Sequence, residues 1–163
     1  KLFEEIENHG KEFSLKLYGA RALMSLRLEK NWGAWTLDFR PDFTAAESGL
    51  DIFISWKKEF VGKKVAEAEK KSGPKKKLVT MTIDTKDIDV TNDEAILKDN
   101  KCVGYITSGG YAHHVKKSIA LGYVPTELSK HDTTLEVEIN GKLYKARVTE
   151  KPLYDSNGGK MRS

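Results

Sequence analysis

A single cysteine, Cys102, excludes an internal disulfide and fits a reducing compartment, which we read as cytoplasmic. Cys102 sits in a β-rich run and is expected to be a small buried hydrophobe. No apolar run approaches the length needed to cross a bilayer, so a membrane is not among the expected partners. The phosphate-cradling Gly-x-x-x-x-Gly-Lys is missing, as are the dinucleotide Gly-x-Gly-x-x-Gly and any paired-cysteine metal motif. His113 and His114 are adjacent, so an extended loop sends them to opposite sides and they cannot easily chelate one ion. No metal site and no catalytic residue is therefore assigned. Low complexity is confined to Lys70-Lys-Ser-Gly-Pro-Lys-Lys-Lys77, which reads as a solvated linker.

With 163 residues and 39% hydrophobic content, the chain has enough apolar mass for one ordinary domain or two small ones. Its net charge of +4 and pI of about 9.0 raise the possibility of a nucleic-acid-binding β-barrel. Such surfaces interleave basic residues with exposed aromatics on one sheet face. Here the lysines cluster in the linker and the aromatics elsewhere, so nucleic acid is not the expected partner.

Leu2, Phe3 and Ile6 have helical spacing from the first residues on, which predicts a short amphipathic helix to His9 with Gly10 as its C-terminal stop. The chain is thus expected to begin inside an element, as a piece of a longer parent. Ala20 to about Lys30 is the strongest helical stretch, and Ala20, Leu23, Met24 and Arg27 share its apolar stripe. A charge on such a stripe calls for a partner, so Arg27 and Glu47 are read as a structural ion pair, with Asp38 as second choice. Asn31 to Ser48 reads as an aromatic loop, Leu50 to Trp56 as a strand and Gly62 to Lys71 as a helix.

After Ser72-Gly73-Pro74 the pattern turns almost purely β, with strands near 78–84, 95–98, 102–107, 118–124, 133–139 and 143–149. Asn140-Gly141 calls for a type I′ turn, which pairs Val137 with Tyr144, Leu135 with Ala146 and Glu136 with Lys145. Between the strands at 103–107 and 118–124 lie Gly109-Gly110, read as a glycine turn, and then Tyr111, His113 and His114.

The wording Gly104-Tyr-Ile-Thr-Ser-Gly-Gly-Tyr-Ala-His-His-Val-Lys-Lys-Ser-Ile-Ala-Leu-Gly-Tyr-Val-Pro125 resembles the carboxy-terminal barrel of the folate-dependent aminomethyltransferase family, which includes the glycine-cleavage T-protein. Three further blocks follow in consistent order: Gly19-Ala-Arg-Ala-Leu-Met-Ser-Leu-Arg-Leu-Glu-Lys30 with Trp35, then Thr44-Ala-Ala-Glu-Ser-Gly-Leu50 with Phe60-Val-Gly-Lys63, then Pro152-Leu-Tyr-Asp155. Leu23 and the Lys30-to-Trp35 wording are similar to the dimethylglycine and sarcosine dehydrogenase branch. A stand-alone aminomethyltransferase, or a folate-dependent demethylase, is the alternative inside the family.

The resemblance implies an α+β fold: residues 1–73 as the C-terminal portion of a folate-binding domain, and 74–163 as a six-stranded antiparallel β-barrel. It implies tetrahydrofolate and a methylamine as small-molecule partners, with FAD in a domain of the parent chain that is not present here. Trp35, Tyr111 and His113 are the residues assigned to folate. Trp35 either walls the cavity or packs in the core, and Tyr111 and His113 either line its mouth or are plain surface. The family's pterin-holding glutamate and the acid beside the reacting nitrogen belong upstream of Lys1. This chain alone is therefore expected to be inactive.

Overall fold

The computed structural model of the chain describes residues 1–149 and 152–162. Glu150, Lys151 and Ser163, which the sequence reading placed in the barrel region, lie outside the described residues. Three helices precede the sheet: α1 (Leu2–Gly10), α2 (Ala20–Glu29) and α3 (Lys63–Ser72). Six strands follow: β1 (Lys76–Ile83), β2 (Ala95–Lys98), β3 (Lys101–Ala112), β4 (Lys117–Pro125), β5 (Thr134–Ile139) and β6 (Lys142–Thr149). They close into an antiparallel barrel in the order β1-β4-β3-β2-β5-β6. None of the helices is long and apolar enough to cross a membrane.

The β5–β6 hairpin shows how local chemistry sets the barrel wall. Asn140 and Gly141 both take positive φ, 49° and 75°, and the pairs Val137–Tyr144, Leu135–Ala146 and Glu136–Lys145 form. Alternation then sends Leu135, Val137, Ile139, Ala146 and Val148 into one buried core with Val79, Met81 and Ile83 of β1. Opposite faces of the same strands carry Lys145 and Arg147.

Four readings are corrected here. The run 50–56 is not a strand: Asp51–Phe53 forms a 3₁₀ turn, and Ile52 and Phe53 are about three-quarters exposed. Six strands already close the barrel, so no free edge remains for this segment to pair with. Gly10 is the last residue of α1 but not a left-handed stop: it is buried and still right-handed at φ −73°, the chain runs on through a 3₁₀ turn at Lys11–Phe13, and Ser14 takes the left-handed turn at φ 56°.

Gly109-Gly110 is not a turn either, since both residues lie inside β3 and neither has positive φ. Gly109 instead admits a close approach. A Cβ there would sit 2.6 Å from the carbonyl oxygen of Val90, the residue of the β1–β2 connection that plugs the barrel core. The reversal falls at residues 113–116, where Lys116 has φ 54°. Finally, Cys102 is exposed, because it stands next to the β2–β3 turn at Asp99-Asn100, and its thiol reaches only the Gly104 carbonyl at 3.4 Å.

Candidate functional site

Only the last turn of α2 is deeply buried, and it buries charge as well as Leu28. Arg27 is 8% exposed and Asp38 fully buried. One guanidinium nitrogen donates to Asp38 Oδ2 at 2.8 Å and to the Trp32 carbonyl at 3.0 Å, while the other donates to Ser108 Oγ at 2.8 Å. Asp38 also accepts from the Ala34 backbone N–H at 2.7 Å and from the Thr107 hydroxyl. A buried carboxylate with a cation and two further donors meets the condition under which an internal ion pair is tolerated.

The partner of Arg27 is thus Asp38, not Glu47. Glu47 faces its own turn, where its carboxylate accepts the Thr44 N–H at 3.1 Å and its carbonyl accepts the N–H of Leu78 in β1. Asp38 was the weaker choice because it sits in an irregular loop, whose reach toward α2 no periodicity describes. It is nevertheless the only acid between Glu29 and Asp42, which was the available signal.

This network fixes an aromatic surface. The Tyr123 hydroxyl donates to the Asp38 carbonyl at 2.9 Å and lies 2.7 Å from Ser48 Oγ, and Phe43 stacks on the Tyr123 ring at 3.5 Å between centroids, 8° from parallel. Burial pushes the Tyr123 phenol above its ordinary range, the Ser48 hydrogen bond opposes this, and the Asp38 charge adds to it. The phenol therefore stays a neutral donor. Backbone bonds from Asp38 and Phe39 to the Ala34 carbonyl tighten the loop, and Thr36 is held at φ 68°, a strained angle for a β-branched residue. The turn holds Trp35 outward, 77% exposed, with only an edge contact to Phe39 at 5.5 Å. Trp35, Phe39, Arg40, Phe43 and Leu50 border a cavity of about 460 Å³.

Tyr111 and His113 come together elsewhere, edge to face at 5.1 Å. Ser25 Oγ of α2 donates to the Tyr111 carbonyl at 2.6 Å, which ties that end of β3 to the helix. Tyr111 lines a second cavity, at the barrel end, which shares no lining residue with that of Trp35. The three residues assigned to folate are thus not brought onto one surface by the residues described.

His114 has a structural role that sequence reasoning missed. Its backbone N–H donates to Glu29 Oε1 at 2.7 Å and its ring Nδ1 lies 2.8 Å from Glu29 Oε2, with Glu29 only 1% exposed. Tyr154 stacks obliquely on the His114 ring at 4.6 Å, its N–H donates to the Glu29 carbonyl, and Lys30 binds Asp155 at 3.1 Å. His114→Ala is expected to leave Glu29 short of a partner and to lower stability by about 1–3 kcal/mol, read by thermal or urea unfolding. An unchanged melting curve would show that this clasp contributes nothing. Among the described residues no group of His, Cys, Asp and Glu is arranged to hold a metal ion.

Residues 76–155 match the glycine cleavage T-protein C-terminal barrel domain, and residues 1–58 match the GCVT N-terminal domain. The chain belongs to the glycine-cleavage T-protein family. It is 40% identical over 154 residues to the mitochondrial dimethylglycine dehydrogenase of Rattus norvegicus, covering 93% of this chain and 18% of that protein. It is 38% identical over 140 residues to the aminomethyltransferase of Synechocystis sp., covering 85% of this chain and 37% of that protein. The solved glycine cleavage system aminomethyltransferase T of Bartonella henselae superposes with a TM-score of 0.80 at 25% identity, over 86% of this chain and 40% of that one. The chain spans less than half the length of these relatives.

Proposed function

We propose that this chain is the carboxy-terminal, folate-facing region of an enzyme that moves a one-carbon unit from a methylamine of the dimethylglycine or sarcosine type to tetrahydrofolate. The domain boundary lies at Ser72-Gly73-Pro74, and the FAD domain belongs to the remainder of the parent chain. The observation that carries the reading is Trp35, an aromatic ring held outward at 77% exposure by a turn whose geometry the buried Asp38 secures. A bound pterin needs flat apolar walls, a cation for its glutamate tail and a carboxylate for its amide and amino hydrogens. Trp35, Phe39 and Phe43 suit the walls and Arg40 the cation. Among the residues bordering this cavity there is no carboxylate, and that part falls to the upstream residues of the parent.

The rest of the parent chain is also the partner to which the first third is suited. Leu2, Phe3, Phe13, Ile52, Phe53 and Val61 are all exposed, whereas the barrel exposes few large apolar side chains. The reducing compartment read from Cys102 is taken as the cytoplasm. A stand-alone aminomethyltransferase remains the second reading, favoured by the 38% identity to the Synechocystis protein.

Isothermal titration of the 163-residue chain with tetrahydrofolate tests the proposal. The chain alone is expected to be inactive and to bind no tighter than micromolar, because the directional hydrogen bonds that orient the pterin are missing. Trp35→Ala should abolish that weak binding and change stability by no more than about 0.5 kcal/mol, since the ring is exposed. Submicromolar binding, or binding indifferent to Trp35, would overturn the placement of the site.

A further inference from the structure

The barrel end around Tyr111 carries features that the folate reading does not use. A cavity of about 560 Å³ opens there between the end of β1, the start of β4 and the middle of β6. Lys86, Lys116, Lys117, Lys145 and Arg147 line it, with Asp84 as the only carboxylate among its lining residues. Arg147 reaches Asp132 at 3.3 Å in an exposed pair, and Lys145 stands across from Glu136 in the sheet register. Among the described residues, Lys86, Lys116, Lys117 and Lys145 form no ion pair. Concave surfaces lined by unneutralised charge of one sign concentrate counter-ions.

Ser118 supplies the second, independent observation. It is paired with Ile83 of β1 and Tyr111 of β3, and it shares the inward face of β4 with Ala120 and Val124. Ser118 is 3% exposed, lines this cavity, and its hydroxyl is buried with no hydrogen-bond partner among the described residues. Folded proteins rarely leave a buried hydroxyl unpaired, and an alanine here would satisfy the apolar face without that cost. A serine is explained if its O–H donates to a ligand that enters from the cationic mouth.

We propose that this barrel end is a binding site for an oxyanion of two or more negative charges, phosphate or carboxylate in chemistry, held by Lys116, Lys117 and Lys86 at the mouth and by the Ser118 hydroxyl at the floor. The site is separate from the Trp35 cavity, so it stands or falls independently of the folate reading.

The test is a two-dimensional amide NMR titration of the 163-residue chain at constant ionic strength, with inorganic pyrophosphate in one arm and tricarballylate in the other. Saturable shifts confined to residues 82–86, 111–118 and 145–147 are expected in at least one arm, and the arm that binds tighter identifies the phosphate or the carboxylate source. Ser118→Ala, which keeps the fold because it removes only an unpaired hydroxyl, should weaken binding about tenfold. Lys117→Glu should weaken it further, while Lys70→Glu, in the last turn of α3 and outside this cavity, should leave it unchanged. Shifts no larger than those from sodium chloride would overturn the proposal. So would saturable binding that is the same in Ser118→Ala, or an equal effect of Lys70→Glu, which would indicate diffuse attraction to a basic surface.

Discussion

Arg27→Met is expected to lower the unfolding free energy by about 3–5 kcal/mol, the usual cost of stranding one member of a buried ion pair. Methionine fills much of the same volume, so the loss is electrostatic rather than a cavity. Asp38 would keep the Ala34 N–H and the Thr107 hydroxyl but would have no cation, and the Trp32 carbonyl and Ser108 Oγ would each lose a donor. Urea unfolding of the single variant and of the Arg27→Met/Asp38→Asn double variant measures this. The double variant should recover at least half of the loss, because a neutral amide still accepts from Ala34 and no longer needs a counter-charge. A loss below about 1 kcal/mol in the single variant would mean that the pair does not hold α2 to the barrel. The aromatic loop should loosen in parallel, since Asp38 is also what closes the 34–39 turn that carries Trp35.

Gly104→Ala should destabilise the barrel by about 2–3 kcal/mol, at the upper end of overpacking costs. A Cβ at this position would run into the carbonyl of Tyr123 on the neighbouring strand, and backbone in a closed barrel cannot step aside as a side-chain tip can. The strain would fall where Tyr123 holds Phe43 and the Asp38 carbonyl, so the aromatic cavity should be perturbed together with stability. Gly19→Ala is the comparison: a Cβ there meets open space and φ is −86°, so the change should stay within about 0.5 kcal/mol. Equal melting temperatures for the two variants would contradict the close approach of β3 and β4.

The barrel was legible in the sequence because its causes are local. Alternation of period two, the Asn140-Gly141 turn and the proline after Val124 act over a few residues, and each pins a strand end or a register before any tertiary contact forms. The α2 helix was equally legible, since its formers and apolar stripe lie within ten residues. The 50–56 segment misled for the opposite reason. Its alternating pattern describes a strand only if another strand offers an edge, and the closed sheet offers none.

The functional geometry was only partly legible. The sequence by itself determined that Arg27 must be paired, because a charge on a buried stripe needs a partner wherever the chain goes. Only the tertiary structure decided that the partner is Asp38, since loop 31–50 has no period from which its path can be read. The same holds for Gly109, whose need for a missing side chain arises from Val90, nineteen residues earlier in sequence, whose carbonyl oxygen lies 2.6 Å from where a Cβ would stand. It also holds for the separation of Trp35 from Tyr111, neighbours in the sequence argument but set on different cavities by the fold. Composition and periodicity are properties of short windows. Which buried groups meet depends on how α2, the aromatic loop and β3 are stacked, and that is decided by packing over the whole chain.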